Sequence, residues 1–132
     1  MPVMEFKKGL KQKVTENFFS TEFDCNCKYP ECKITYIDLD HVKKLEEKRK
    51  EFNAPILINS GFRCVMHNRD IGGKPGSIHM TGKATDIRVP GYDPKTVQEK
   101  CEDFDGLGSY SSFTHVDSRY GGNGDKKSRW NG

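Results

Sequence analysis

With 132 residues, 33% of them hydrophobic and 31% charged, the chain can fill one modest core but not two, so a single domain over residues 1–132 is expected. The net charge of +3 comes from 22 Lys and Arg against 19 Asp and Glu with no long block of one sign, which argues against a nucleic-acid binder. No apolar run approaches the roughly 18 residues needed to cross a bilayer, and the start, Met1-Pro2-Val3-Met4-Glu5-Phe6-Lys7-Lys8, lacks the apolar stretch of a signal peptide, which implies a product made in the cytoplasm.

Residues 1–35 show no clear periodicity and read as short helical turns and loops, with a capping start at Ser20-Thr21-Glu22-Phe23. A cysteine cluster follows. Five cysteines, without an export signal, read as thiols or metal ligands rather than as a disulfide framework. Cys25, Cys27 and Cys32 are close enough for a second, cysteine-bound zinc ion if Cys64, Cys101 or a histidine closed the fourth position. With no second C-x-x-C pair, the spacing favours ordinary buried thiols over that knot.

From Asp38, an N-cap by residue type, Leu39, Val42, Leu45, Arg49 and Phe52 recur at threes and fours among Lys and Glu, which predicts an amphipathic helix to about Phe52. Ile56-Leu57-Ile58, after Asn53-Ala54-Pro55, is too short for a helix and rich in branched residues, and predicts a buried strand. Residues 67–77, with Gly72, Gly73, Gly76 and Pro75, read as a loop. Ala84 to Val89 alternates as a strand, with Thr85, Ile87 and Val89 on one face and Ala84, Asp86 and Arg88 on the other. Asp93 and Pro94 start a second helix that runs to about Glu102. Leu107–Tyr110 and Phe113–Asp117 read as two strands or a bent hairpin, with Phe113, His115 and Asp117 facing one way. Residues 120–132 read as a Gly-rich tail whose Lys126, Lys127 and Arg129 are solvated.

A catalytic zinc ion takes three protein ligands and keeps a fourth position open, and His nitrogen with carboxylate oxygen suits it. His79, at the end of the glycine-rich loop, and Asp86, on the following strand, form a clip that Gly82 and Ala84 allow to close. His115 can supply the third ligand from a neighbouring strand. Asp117 lies on the same face, roughly 6 to 7 Å further along. Any one of the four histidines alone is more often a loop residue or a satisfied core group.

Together, Ser60-Gly61-Phe62-Arg63, then Ser77 to Asp86 with a complete S-x-H-x-x-G-x-A-x-D pattern, then His115-Val116-Asp117, resemble the zinc D-alanyl-D-alanine peptidases. The run Asn68 to Gly73 also looks like that family's N-x-x-x-G-G approach, and the likeness extends over about residues 18–119. It is strongest to short bacteriophage domains of carboxypeptidase or endolysin type. The resemblance implies an α+β fold, a small antiparallel sheet flanked by helices, shared with the Hedgehog signalling domain. It implies Zn2+ held by His79, Asp86 and His115, Arg63 binding a substrate carboxylate or polarising its carbonyl, and Ser77 capping the loop or contacting substrate. The implied activity is hydrolysis of a peptide bond in peptidoglycan by a monomer that acts on the cell wall after release from the cell or as part of a virion. Many relatives place an acid three residues before the last ligand histidine, where this chain has Ser112. Asp117 is the candidate to replace it as proton acceptor, and its rival role is to orient a ligand histidine. A non-catalytic zinc-containing binding module of the same fold is the alternative reading.

Overall fold

The computed structural model describes residues 3–122 and 126–132. Its first third is built on strands, where helical turns and loops were expected. β1 (Val3–Lys7) pairs antiparallel with β4 (Ile34–Asp38), and β2 (Lys13–Thr15) pairs with β3 (Phe18–Phe19). These strands escape a periodicity reading because β1 buries only Phe6 among charged neighbours, and its hydrogen-bonding partner lies far along the chain. The capping signal at residues 20–23 forms a 3-10 turn, Ser20–Phe23, in which the Glu22 carboxylate accepts from the Phe19 N–H at 2.7 Å.

Helix α1 (Leu39–Phe52) starts after Asp38, which occupies the N-cap, but the Asp38 carboxylate makes no capping hydrogen bond. That side chain is buried, and burial pushes its pKa up. Val42, Leu45 and Phe52 face the core, and the helix ends at Asn53, whose left-handed backbone (φ 50°) returns its N–H to the Arg49 and Lys50 carbonyls. The same face also buries Glu46, whose carboxylate accepts from Thr15 Oγ1, Asn17 N and Asn17 Nδ2 and so ties the β2–β3 ribbon to the helix.

Strand β5 (Leu57–Ser60) lies at a sheet edge, not inside it: Leu57 is 42% exposed, while Ile56 just before it is buried. Helix α2 (Val65–Asp70) occupies the start of the stretch read as loop, six residues being too few to print a periodic pattern. A second 3-10 turn, Ile78–Thr81, leads through Gly82 into β6 (Ala84–Arg88). Gly82 has a φ of +79°, and a Cβ there would stand 2.5 Å from the Tyr36 carbonyl oxygen, so only glycine fits. Helix α3 (Pro94–Lys100) carries the expected cap, with the Asp93 carboxylate accepting from Thr96 N at 2.8 Å, and stops short of Glu102.

Strands β7 (Gly106–Ser109) and β8 (Thr114–Asp117) form the expected hairpin. The end of the chain departs from expectation. Residues 123–125 lie outside the described residues, but Ser128–Asn131 forms β9, which pairs parallel with β7. The sheet order is β5-β6-β8-β7-β9, so the sheet is antiparallel except at this last pair. β8 is flanked by β6 and β7, which leaves the outer edge of β7 for the returning chain. Thr85, Ile87, Val116 and Leu107 share one face of the sheet and are buried; the apolar three join Val42, Leu45 and Phe52 of α1 and Val97 of α3 in the main core. Among the described residues no helix is long and apolar enough to cross a membrane.

Candidate metal centre

The opposite face of the same strands carries the chemistry. Side chains alternate along a strand, so residues in direct cross-strand register share a face. Ser60 pairs with Asp86, Asp86 with His115, His115 with Gly108, and Gly108 with Trp130, which makes one row across all five strands. A second row on that face runs Ala84, Asp117, Gly106. The glycines clear space: a Cβ at Gly106 would fall 2.0 Å from Asp117 Oδ2, and one at Gly108 would fall 2.5 Å from Trp130 Nε1.

His79 reaches this row from the 3-10 turn before β6. The Ser77 hydroxyl accepts from His79 N at 3.3 Å and caps that turn. The segment leading to Arg63 clamps His79 from both sides: its ring Nδ1 lies 2.8 Å from the Gly61 carbonyl, and Arg63 N donates to the His79 carbonyl at 3.2 Å. Because a carbonyl only accepts, Nδ1 carries the hydrogen and Nε2 is left with its lone pair. Nε2 stands 3.3 Å from Asp86 Oδ1.

His115 is fixed in the same manner from the other direction. Its Nε2 lies 2.7 Å from Asp117 Oδ2 and its Nδ1 3.1 Å from Asp86 Oδ1. Donation from Nε2 to Asp117 turns the Nδ1 lone pair toward Asp86. Three acceptors, His79 Nε2, His115 Nδ1 and an Asp86 oxygen, therefore converge within 4.8 Å of one another, all on buried residues. Acceptors packed this way need a cation between them, and two nitrogens with one carboxylate suit zinc with a coordination position to spare.

The electrostatics point the same way. Burial works against charge on Asp86, but the His115 and His79 rings beside it outweigh that and hold the carboxyl well below the usual range. Burial likewise opposes charge on His115, and Asp117 and Asp86 on its two sides push its pKa up. Asp117 is held ionised against its own burial by His115 and Arg119. A positive charge at this point is favoured from every side.

The site forms the floor of a cleft of about 370 Å³. Arg63 is on its wall, with Nε on Ser60 Oγ (3.3 Å), Nη1 on Asn68 Oδ1 (3.4 Å) and Nη2 on Asp86 Oδ2 (3.3 Å). These bonds use three of its five N–H groups and leave two for a ligand. Asn68 in turn donates to the Lys74 carbonyl at 2.8 Å and anchors the glycine-rich loop that forms the cleft's rim. The motif residues are thus brought together, Ser77 included. Ser112 is not among them: it is exposed, away from the cleft, beside Pro94 and Val97.

Three cleft residues were not foreseen. Arg119 grips Asp117 through Nε (3.0 Å) and Nη2 (2.8 Å), and Trp130 lies over both Arg119 (5.1 Å) and the His115 ring (4.9 Å). Tyr110 accepts from Trp130 Nε1 at 3.0 Å, which leaves its own hydroxyl hydrogen to donate. Arg119 stood two residues after Asp117 as a visible signal, whereas Trp130 depended on the pairing of β9.

A search of curated protein sequences found no match to the chain. The family model described as Peptidase M15 matches residues 13–117, a span that runs from β2 to the end of β8 and contains His79, Asp86 and His115 together with Arg63. Since that span is most of the molecule, and the acceptor set at its centre suits the metal on which these peptidases depend, the chain belongs to the M15 family of zinc metallopeptidases.

Proposed function

We propose that the protein hydrolyses a peptide bond in the stem or cross-link peptides of bacterial peptidoglycan, as a carboxypeptidase or endopeptidase of the D-alanyl-D-alanine type. His79, Asp86 and His115 are the zinc ligands in this reading. The observation that carries it is the convergence of those three acceptors at the floor of a cleft with Arg63 on its wall.

Zinc so held would supply Lewis acidity at the scissile carbonyl and would bring the pKa of water to about 7. Arg63 binds the substrate carboxylate or the developing oxyanion with its two spare donors. Tyr110 offers its hydroxyl hydrogen to the bound peptide from the other wall. Ser77 holds His79 in place and presents its hydroxyl to the cleft. Asp117, fully buried with both oxygens engaged by His115 and Arg119, orients His115 in preference to accepting a proton from water. A wall substrate would put the enzyme's action outside the cytoplasm, after cell lysis or carried on a virion.

The test is incubation of the zinc-loaded protein with intact peptidoglycan and mass spectrometry of what is released. Free D-alanine identifies a carboxypeptidase, and separated cross-linked stems identify an endopeptidase. Zinc binding with no released product would instead favour the non-catalytic binding module.

A further inference from the structure

The cysteines expected to be ordinary buried thiols are gathered into one cluster. Cys25, Cys27 and Cys32, on the loop between the first 3-10 turn and β4, meet Cys64, the N-cap of α2, with all four Sγ atoms within 4.8 Å of one another. Cys25 and Cys64 are 3.7 Å apart, and Cys64 and Cys27 are 3.8 Å apart. A zinc ion bonded to four thiolates at about 2.3 Å sets sulfur–sulfur edges of about 3.8 Å, the length of the two edges that Cys64 makes with Cys25 and Cys27. None of these cysteines is in a disulfide. Cys101 is buried elsewhere, in the main core.

Hydrogen-bond donors reach the sulfur atoms. Cys64 N donates to Cys25 Sγ and His67 N to Cys64 Sγ, each at 3.4 Å, and Lys8 Nζ lies 3.3 Å from Cys27 Sγ. Four thiolates within 4.8 Å of one another need a cation to offset their charge.

From this geometry we propose that Cys25, Cys27, Cys32 and Cys64 hold a second, structural zinc ion. Four protein ligands close the coordination shell, in contrast to the three at the histidine site. The ion would staple a loop that has only a small apolar cluster of its own, Cys25, Cys32 and Phe62 with Cys27, Tyr29 and Cys64 against it, to the segment Gly61 to Cys64. That segment supplies both the Gly61 carbonyl that fixes the His79 ring and Arg63 of the cleft. The second ion thus positions the first site without touching substrate.

The assignment does not depend on the peptidase reading and is tested separately. Protein purified under reducing conditions is expected to carry about two zinc ions per chain. Replacement by cobalt is expected to give intense thiolate-to-cobalt charge-transfer absorption in the near ultraviolet. That absorption persists in the Asp86→Ala variant, which loses the other ion, and disappears in Cys32→Ser. The wild-type spectrum decides the matter even if Cys32→Ser does not fold. Absence of the charge-transfer band in wild-type protein, or recovery of these cysteines as disulfides from the reduced preparation with zinc bound at the histidine site alone, would overturn the proposal.

Discussion

Asp86 and Asp117 lie on one sheet face, and what their oxygens meet separates their roles. Asp86 points an oxygen at two lone-pair nitrogens, whereas Asp117 is closed in by His115 and Arg119. If Asp117 orients His115, Asp117→Asn is expected to weaken zinc binding about 10- to 100-fold while excess zinc restores turnover. Zinc titration followed by an activity assay checks this, and a variant that stays inactive when saturated would restore Asp117 as the base. Arg63→Ala is expected to lower kcat/KM by about 10²- to 10³-fold with zinc content unchanged, the scale for losing a preorganised donor to a developing oxyanion. Elsewhere, buried His41 bridges Ser118 Oγ (2.8 Å) and Thr85 Oγ1 (3.0 Å), and burial draws its pKa from 6.5 to about 3. Its unfolded ring takes a proton below about 6.5 and its folded ring does not until about 3, so stability is expected to fall as pH drops through that window. Denaturant unfolding across this range, with a shallower decline in His41→Gln, measures it.

Among the elements, those with local signals were legible in the sequence and those made by distant pairing were not. The threes and fours of α1, the Asp93-Pro94 start of α3 and the alternation of β6 and β8 are written in neighbouring residues. The same alternation placed His115 and Asp117 on one face, and the spacing from His79 to Asp86 marked the clip. β1 and β9 have no such pattern. β9, Ser-Arg-Trp-Asn, becomes a strand only because β7 offers a free edge, and Arg129 secures it by donating to the Glu102, Phe104 and Asp105 carbonyls. The consequence is testable at Trp130. Trp130→Ala removes the cover over His115 and Arg119 and is expected to cost about 1 to 3 kcal/mol, less than a fully buried Trp, and to reduce activity along with it. Thermal unfolding beside peptidoglycan turnover would show both losses together; a variant unchanged in activity would detach β9 from the site.

At the scale of the molecule, one sheet divides the labour: its buried face binds the helices and its other face aligns Asp86, His115 and Trp130 in a single row. A core this modest leaves metal binding to contribute to folding, since a ligand bound only by the folded state adds about 4 kcal/mol at a thousand times its dissociation constant. Chelation is therefore expected to lower the melting temperature as well as abolish turnover, with both recovered on adding zinc. The most direct test of the central claim compares zinc-loaded wild-type protein with Asp86→Ala on purified peptidoglycan, with released fragments read by mass spectrometry and bound metal counted in parallel. Stem-peptide cleavage by the wild type alone, together with loss of the histidine-site ion in the variant, is the expected result. Equal cleavage by Asp86→Ala, or none by fully zinc-loaded wild type, would contradict it.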